Sequence, residues 1–460
     1  MATPTDSSSA LAEPVIQAVA QKVKKLYEDL GEKRLYTIES IRYMQLLLDR
    51  IHDIEELRHA EVSETTKDYT FKDGDGKEHE LKHLRIAETF EHEDSELPEG
   101  TTTMTFENAL GEKHQFEVPL VPWLYWENGI DLDVKPVIYF LSYQQTIFDP
   151  TLEALCPRPL ADIEGGFMDR PITPDLCSSG GWQSLAVNYI PMYFGYDLCK
   201  TAYIIDPDIG NLEEVDHERM EELKKDSEAE RDEIVKYVEE AKGTIKKIVC
   251  LGLNTMFGPE GTDCTLPQHY TVLDLADRLD VPVIFQSLKY VVGDKEFLRA
   301  TRPRESTSGS LTIDFCDSPE GLYAIDKSTL VFTTGQPDFP IRQLVADLTH
   351  EYGCPAAIFC APVKDAIMKE WSVDTEMKQF RTAIRDWTVK KGRYGTRKKT
   401  QTFPDPVNKH VFNMLKGFRE VLNIDTWYAQ TREGRKGPYI PSESYNRGCS
   451  LYVKKGSADP

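Results

Sequence analysis

The stretch Lys247-Ile248-Val249-Cys250-Leu251-Gly252-Leu253-Asn254 decides how this chain is read. Its apolar run is short and closed by a glycine, as a buried strand is. Directly after it comes a helical pattern from Leu266 to Leu279, with Val272, Leu275, Ala276 and Leu279 on one face. The alternation then repeats. Val281–Phe285, Leu311–Phe315, Thr329–Thr333 and Ala356–Ala361 read as strands. Ile341, Leu344, Val345, Leu348 and Tyr352 stand in helical register, with Pro340 in the first turn and Gly353 just past the end. Strands alternating with amphipathic helices predict an α/β fold with a buried parallel sheet. Right-handed crossovers would line the strand-to-helix loops along one edge, where open α/β sheets bind ligands.

Working outward, the α/β core is expected over 244–365. Residues 1–120 read as a helical hairpin followed by an acidic β-hairpin region. The first helix carries Val15, Val19, Val23, Leu26 and Leu30 and stops at Gly31; the second starts near Thr37 with Ile38, Ile41, Met44, Leu48 and Ile51 on one stripe. Tyr69–Phe71 and His79–Leu81 flank Asp73-Gly74-Asp75-Gly76, and Thr102–Phe106 and His114–Val118 flank Gly111, so two β-hairpins are predicted. Residues 121–243 read as an irregular, aromatic-rich region followed by one long charged helix over 211–243. Residues 366–460 read as a helical extension, with helices over Asp365–Trp387 and Lys409–Leu422.

Composition limits the function classes. The chain has 460 residues and 54 Lys+Arg against 77 Asp+Glu, a net charge of −23. Such a balance argues against nucleic acid as a partner, because phosphate contacts need clustered cations. Segments 51–99 and 211–243 carry most of the acidity, and the run Lys390, Lys391, Arg393, Arg397, Lys398 and Lys399 is the one reversal of sign. A protein partner would meet the chain through 211–243 or 390–399; the bland alternatives are a solvated helix and docking of the basic run on the acidic segments. No basic-then-apolar leader and no apolar run of membrane-spanning length is present, so no membrane partner is expected. Nine scattered cysteines without a CxxC pair fit reduced thiols and a cytoplasmic or also nuclear location.

Few motifs carry chemistry. His79-Glu80-Leu81-Lys82-His83 matches the zinc-protease pattern, but it reads as a strand, where residues four apart stand roughly 13 Å from each other. No metal site is therefore assigned. The segment Gly252 to Phe257 places glycine at one of the three positions that a dinucleotide fingerprint needs. Thr265-Leu266-Pro267-Gln268 reads as a capping box, with Thr265 as N-cap. The next residue, His269, is the candidate general base. Gly335-Gln336-Pro337-Asp338 links a strand to a helix N-terminus that could hold an anion, or Asp338 simply caps it. The candidate ligand-binding set along this edge is Gly252, Asn254, Gln268, His269, Gln286, Thr334, Gln336 and Asp338; catalytic residues and cofactor stay unknown.

Lys247 through Asn254, Gln268-His269, Val281-Pro282-Val283-Ile284-Phe285-Gln286, Thr329-Leu330-Val331-Phe332, Pro337, Pro340, Gln343 and Val345-Ala346-Asp347 together resemble the sensitivity-to-red-light-reduced-like domain family, in its fungal branch. The likeness spans about 244–365. It implies a Rossmann-like parallel core and a regulatory role, without a transferable catalytic set. The chain departs from the family at Asn254, where many members have glycine, and at Ser287-Leu288, where Asp-Pro is common. The function expected is that of a regulatory protein binding a partner or a small ligand at the sheet edge. The alternative is an enzyme of unknown reaction using that edge.

Overall fold

The computed structural model describes residues 8–52, 65–72, 78–86, 101–119, 136–140, 142–144, 192–196, 217–239, 241–253, 255–256, 261–287, 290, 292–301, 312–316, 318–333, 339–380, 405–434, 446 and 448–456. The chain divides into two compact units. One comprises Met1–Lys72, Lys77–Leu198 and Trp371–Asn408; the other comprises Asp73–Gly76, Cys199–Glu370 and Lys409–Pro460.

The first unit opens with α1 (Ser8–Leu30) and α2 (Ile38–His52). Gly31 ends α1 in the left-handed region, at φ 58°, which a glycine adopts without strain. Thr37 caps α2: its Oγ1 accepts from Ser40 N at 3.0 Å, and Ser40 Oγ accepts from Thr37 N at 3.1 Å. Three antiparallel strand pairs follow. β1 (Thr65–Lys72) pairs with β2 (Glu78–Ile86), β3 (Thr101–Glu107) with β4 (Lys113–Pro119), and β5 (Pro136–Phe140) with β6 (Met192–Tyr196). The first two are the hairpins that the glycine-rich turns predict. β2 contains both histidines of the zinc-protease pattern, so that spacing is a strand's. The pair β5–β6 was not expected in a region read as irregular. A helix over 373–380 completes this unit.

In the second unit, α3 (His217–Asp226) and α4 (Glu228–Glu239) replace the single long helix expected over 211–243. Ser227 breaks it. Its hydroxyl donates to Leu223 O at 2.7 Å and accepts from Arg231 Nη1 at 2.8 Å. Met220, Leu223, Ile234, Val235 and Val238 are all buried. The sparse apolar stripe of 217–239 thus packs on the unit's own core.

β7 (Lys247–Leu251) follows, then α5 (Gly261–Leu279), β8 (Val283–Gln286), α6 (Val292–Thr301), β9 (Ile313–Cys316), α7 (Glu320–Tyr323), β10 (Thr329–Thr333), α8 (Ile341–Leu348), β11 (Ala357–Cys360), α9 (Asp365–Lys369), α10 (Lys409–Lys416), β12 (Phe418–Asn423), α11 (Ile424–Gly434) and β13 (Ser450–Lys454). The seven strands lie in the order β12-β13-β11-β10-β7-β8-β9. β7 to β11 are mutually parallel; β13 runs antiparallel to β11, and β12 to β13. The fold is α/β, with a mixed sheet. Read from β9, the parallel strands stand in the order 3-2-1-4-5 of doubly wound sheets, which is compatible with a Rossmann-like core.

Three expectations about the C-terminal region need correcting. The helix read over Lys409–Leu422 stops at Lys416, and Phe418–Asn423 is a strand. Gly417 is where the helix gives way. Within the region read as a helical extension, Leu451, Tyr452 and Val453 lie in a strand, β13. The helix expected over Asp365–Trp387 is likewise interrupted: α9 ends at Lys369, and Glu370 is extended, at φ −152° and ψ 123°.

Side chains alternate across the sheet. One face sends Ile248, Cys250, Val283, Phe285, Leu330, Phe332, Ala357 and Phe359 into a core with α3, α4 and α5. Each large side chain buried there stabilises the fold by about 1.5–3 kcal/mol. The opposite face carries Val249, Leu251, Val331 and Ile358, with α8 burying Ile341, Leu344, Val345 and Leu348 outside that cluster.

Candidate functional site

β8 and β10 lie on either side of β7, so the chain leaves β7 at the point where strand order reverses. The carboxyl ends there are in register: Thr333 pairs with Leu251, and Leu251 with Gln286. In parallel strands such a row shares one face, here the face of α8. Gly252 follows at φ 71° and donates its N–H to Gln286 O at 3.1 Å. Only a glycine takes that backbone turn without strain. The nearest side chains to it are Ile341 and the Phe339 ring.

Two polar side chains in this row lack a partner. Gln286 is 1% exposed and its Oε1 has no hydrogen bond; Thr333 is 1% exposed and its Oγ1 has none. A buried polar atom without a bond costs about 1–3 kcal/mol. Gln286 is wedged against α7, where a Cβ at Gly321 would lie 2.7 Å from Gln286 Oε1 and 2.9 Å from its Cβ. Gly321 is the residue that leaves room for that amide.

His269 belongs to the other face. Its ring is 0% exposed. Nδ1 lies 2.7 Å from Thr265 O, and Nε2 lies 2.7 Å from Tyr290 Oη. A carbonyl can only accept, so Nδ1 carries the proton and Tyr290 donates to Nε2. The ring stacks on Phe285 at 5.8 Å and meets Tyr290 edge-on at 5.7 Å. Burial lowers its pKa to about 4, against a smaller upward pull from the Thr265 carbonyl. Both nitrogens are engaged and the ring is neutral, so the candidate general base is a structural histidine. Phe285 and Gln286 are consecutive on β8, and their side chains leave the sheet on opposite faces. His269 and Gln286 therefore do not converge.

Thr265 also changes role. α5 begins at Gly261, which puts Thr265 inside the helix, where its hydroxyl donates to Thr255 O at 2.9 Å instead of capping. Asp294 Oδ1 accepts from Met256 N at 2.8 Å and is 0% exposed. These two bonds tie Thr255 and Met256, after β7, to α5 and α6. Neither Asp294 nor Tyr290 was picked out from sequence, because each partner lies far along the chain. Gln268 is half-buried on α5. Asn254, Thr334, Gln336 and Asp338 fall outside the described residues, as does 390–399. At the start of α8, the N-cap position is Pro340 and no side chain caps it. Arg342, in the first turn, donates from Nη1 to Ala361 O at 3.2 Å, just past the end of β11.

Among the described residues no three His, Cys, Asp or Glu side chains are grouped to hold a metal ion, and no helix is long and apolar enough to cross a membrane. No family model matches the chain, and neither does any curated protein or solved structure.

Proposed function

We propose that this protein is regulatory and acts by binding a small ligand at the carboxyl edge of its α/β sheet, in the cytoplasm and also the nucleus. The resemblance to the sensitivity-to-red-light-reduced-like family supports the regulatory part of this reading. The observation that carries the ligand part is the pair of buried, unbonded atoms at the switch point, Gln286 Oε1 and Thr333 Oγ1. Buried polar atoms without a partner, placed together at the carboxyl ends of adjacent strands, are what a ligand's own donors and acceptors complete. The enzyme reading loses its base, since His269 faces away from this row with both nitrogens bonded.

Thermal-shift screening of the whole chain against nucleotides, S-adenosylmethionine, haem and divalent metals tests the proposal. A ligand at a hundred times its Kd adds about 2.7 kcal/mol, enough for a shift of a few degrees. The expected result is a shift that Gln286→Leu removes and that His269→Gln retains. A panel with no shift, or a shift indifferent to Gln286 and Thr333, would overturn it.

A further inference from the structure

The first unit holds a buried carboxyl that the ligand edge does not involve. Glu376, on the 373–380 helix, is 0% exposed. Tyr27 Oη on α1 lies 3.1 Å from its Oε1 and 3.0 Å from its Oε2. Trp371 Nε1 donates to Oε2 at 3.0 Å, and Gln144 Nε2 donates to Oε1. Aromatic rings wall the site. Tyr27 stacks on Tyr143 at 5.7 Å and meets the Trp371 indole edge-on at 5.4 Å. One carboxyl thus joins three segments: α1, the turn after β5, and the residues through which the chain re-enters this unit at Trp371.

We infer that Glu376 is a proton-operated clasp, which holds residues 371–380 to the rest of their unit while uncharged and loosens them when it ionises. Among the described residues, no cation bonds to Glu376 to neutralise a carboxylate there. The partners from α1, from the turn after β5 and from Trp371 are all uncharged. The charged neighbours in sequence, Lys24, Lys25 and Glu28 on α1 and Asp374 and Lys378 on the 373–380 helix, are exposed. Tyr27 is placed for both states. Almost equidistant from the two oxygens, its hydroxyl can accept the acid's proton or donate to the carboxylate, whereas the indole N–H can only donate. Burial dominates the balance: it raises the carboxyl pKa from 4.5 to about 8, against the opposing hydrogen bonds of Tyr27, Trp371 and Gln144. The sign follows. The unfolded or opened form loses its proton near 4.5 and the closed form near 8, so closure weakens as pH rises between those values.

Amide hydrogen exchange of the full chain, corrected for the intrinsic pH dependence of exchange, reads this locally. Protection over 373–380 should fall by up to about tenfold per pH unit between pH 5 and 8 in the wild type. In Glu376→Gln, which keeps a neutral side chain of the same shape, protection should be flat across that range and higher than wild type at pH 8. Infrared difference spectroscopy on the wild type gives a second readout that needs no variant: a protonated carboxyl band at pH 7 that disappears above pH 8. A wild type with flat protection, or one without that band at pH 7, would overturn the inference.

Discussion

His269 and Gln286 were drawn from the same edge of the same sheet, and the fold treats them in opposite ways. The imidazole sits between Phe285 and Tyr290 with each nitrogen bonded at 2.7 Å. The amide one residue beyond Phe285 is equally buried, yet its oxygen bonds to nothing. Residue type ranked the histidine above the glutamine as a functional group. Bonding reverses that order. A histidine with both nitrogens satisfied contributes to stability and has nothing left for a ligand, whereas a glutamine with a bare oxygen detracts from stability and has something to offer.

The sharpest way to break this contrast is to remove the imidazole. His269→Ala leaves a cavity and strands Tyr290 Oη and Thr265 O, so a loss of about 3–5 kcal/mol is expected in urea unfolding. The same residue should make the α/β unit acid-sensitive. Its folded pKa lies below the ordinary one, so its contribution is complete above pH 6.5 and is lost as pH falls towards 4, by about 3 kcal/mol. Equal stability at pH 7 and pH 4.5, measured by unfolding of Glu376→Gln so that the opposing pH dependence of that carboxyl is removed, would refute the buried neutral ring.

A middle-sized effect probes the other half. Gly321→Ala drives a methyl group into Gln286 and should cost about 1–3 kcal/mol. On a Gln286→Ala background the cost should shrink by more than about 0.5 kcal/mol; strict additivity would mean that the amide lies elsewhere. The smallest effects are the most telling. Gln286→Leu and Thr333→Val remove an unbonded polar atom, so stability should stay within about 1 kcal/mol of wild type or rise. A loss of several kcal/mol in either would show that the atom is bonded after all.

Much of the α/β unit was legible because local signals agreed with one another. Lys247–Leu251 and Thr329–Thr333 are apolar, short and bounded, and the strands lie there. Two hairpins were legible from their flanking strands: Phe71 stands opposite His79, and Phe106 opposite His114 across the turn that holds Gly111. What could not be read depends on distant partners. Leu415, Val421 and Leu422 continue a helical spacing past Gly417, and only the pairing of β12 with β13 makes Phe418–Asn423 extended. The roles of His269 and Glu376 rest on Tyr290, Tyr27 and Gln144, which no local pattern links to them. The break at Ser227 likewise rests on its hydroxyl's bonds to Leu223 O and Arg231 Nη1, which the charged pattern around it does not announce.

The place of β13 bears on how the chain can be made. The strand lies between β11 and β12, and among the described residues β12 has no other neighbour in the sheet. β12 therefore waits for residues 450–454 before it can pair, although it is synthesised before them. On a ribosome delivering the chain from its N-terminus, the parallel strands β7 to β11 can assemble while β12 and the exposed flank of β11 stay open. The sheet closes only when everything from Lys247 to Lys454 has emerged, so its last step is a late insertion between two waiting strands, the kind of long-range pairing that slows folding. A stop codon anywhere between β12 and β13 would leave two raw sheet edges, which is a recipe for chain-to-chain association.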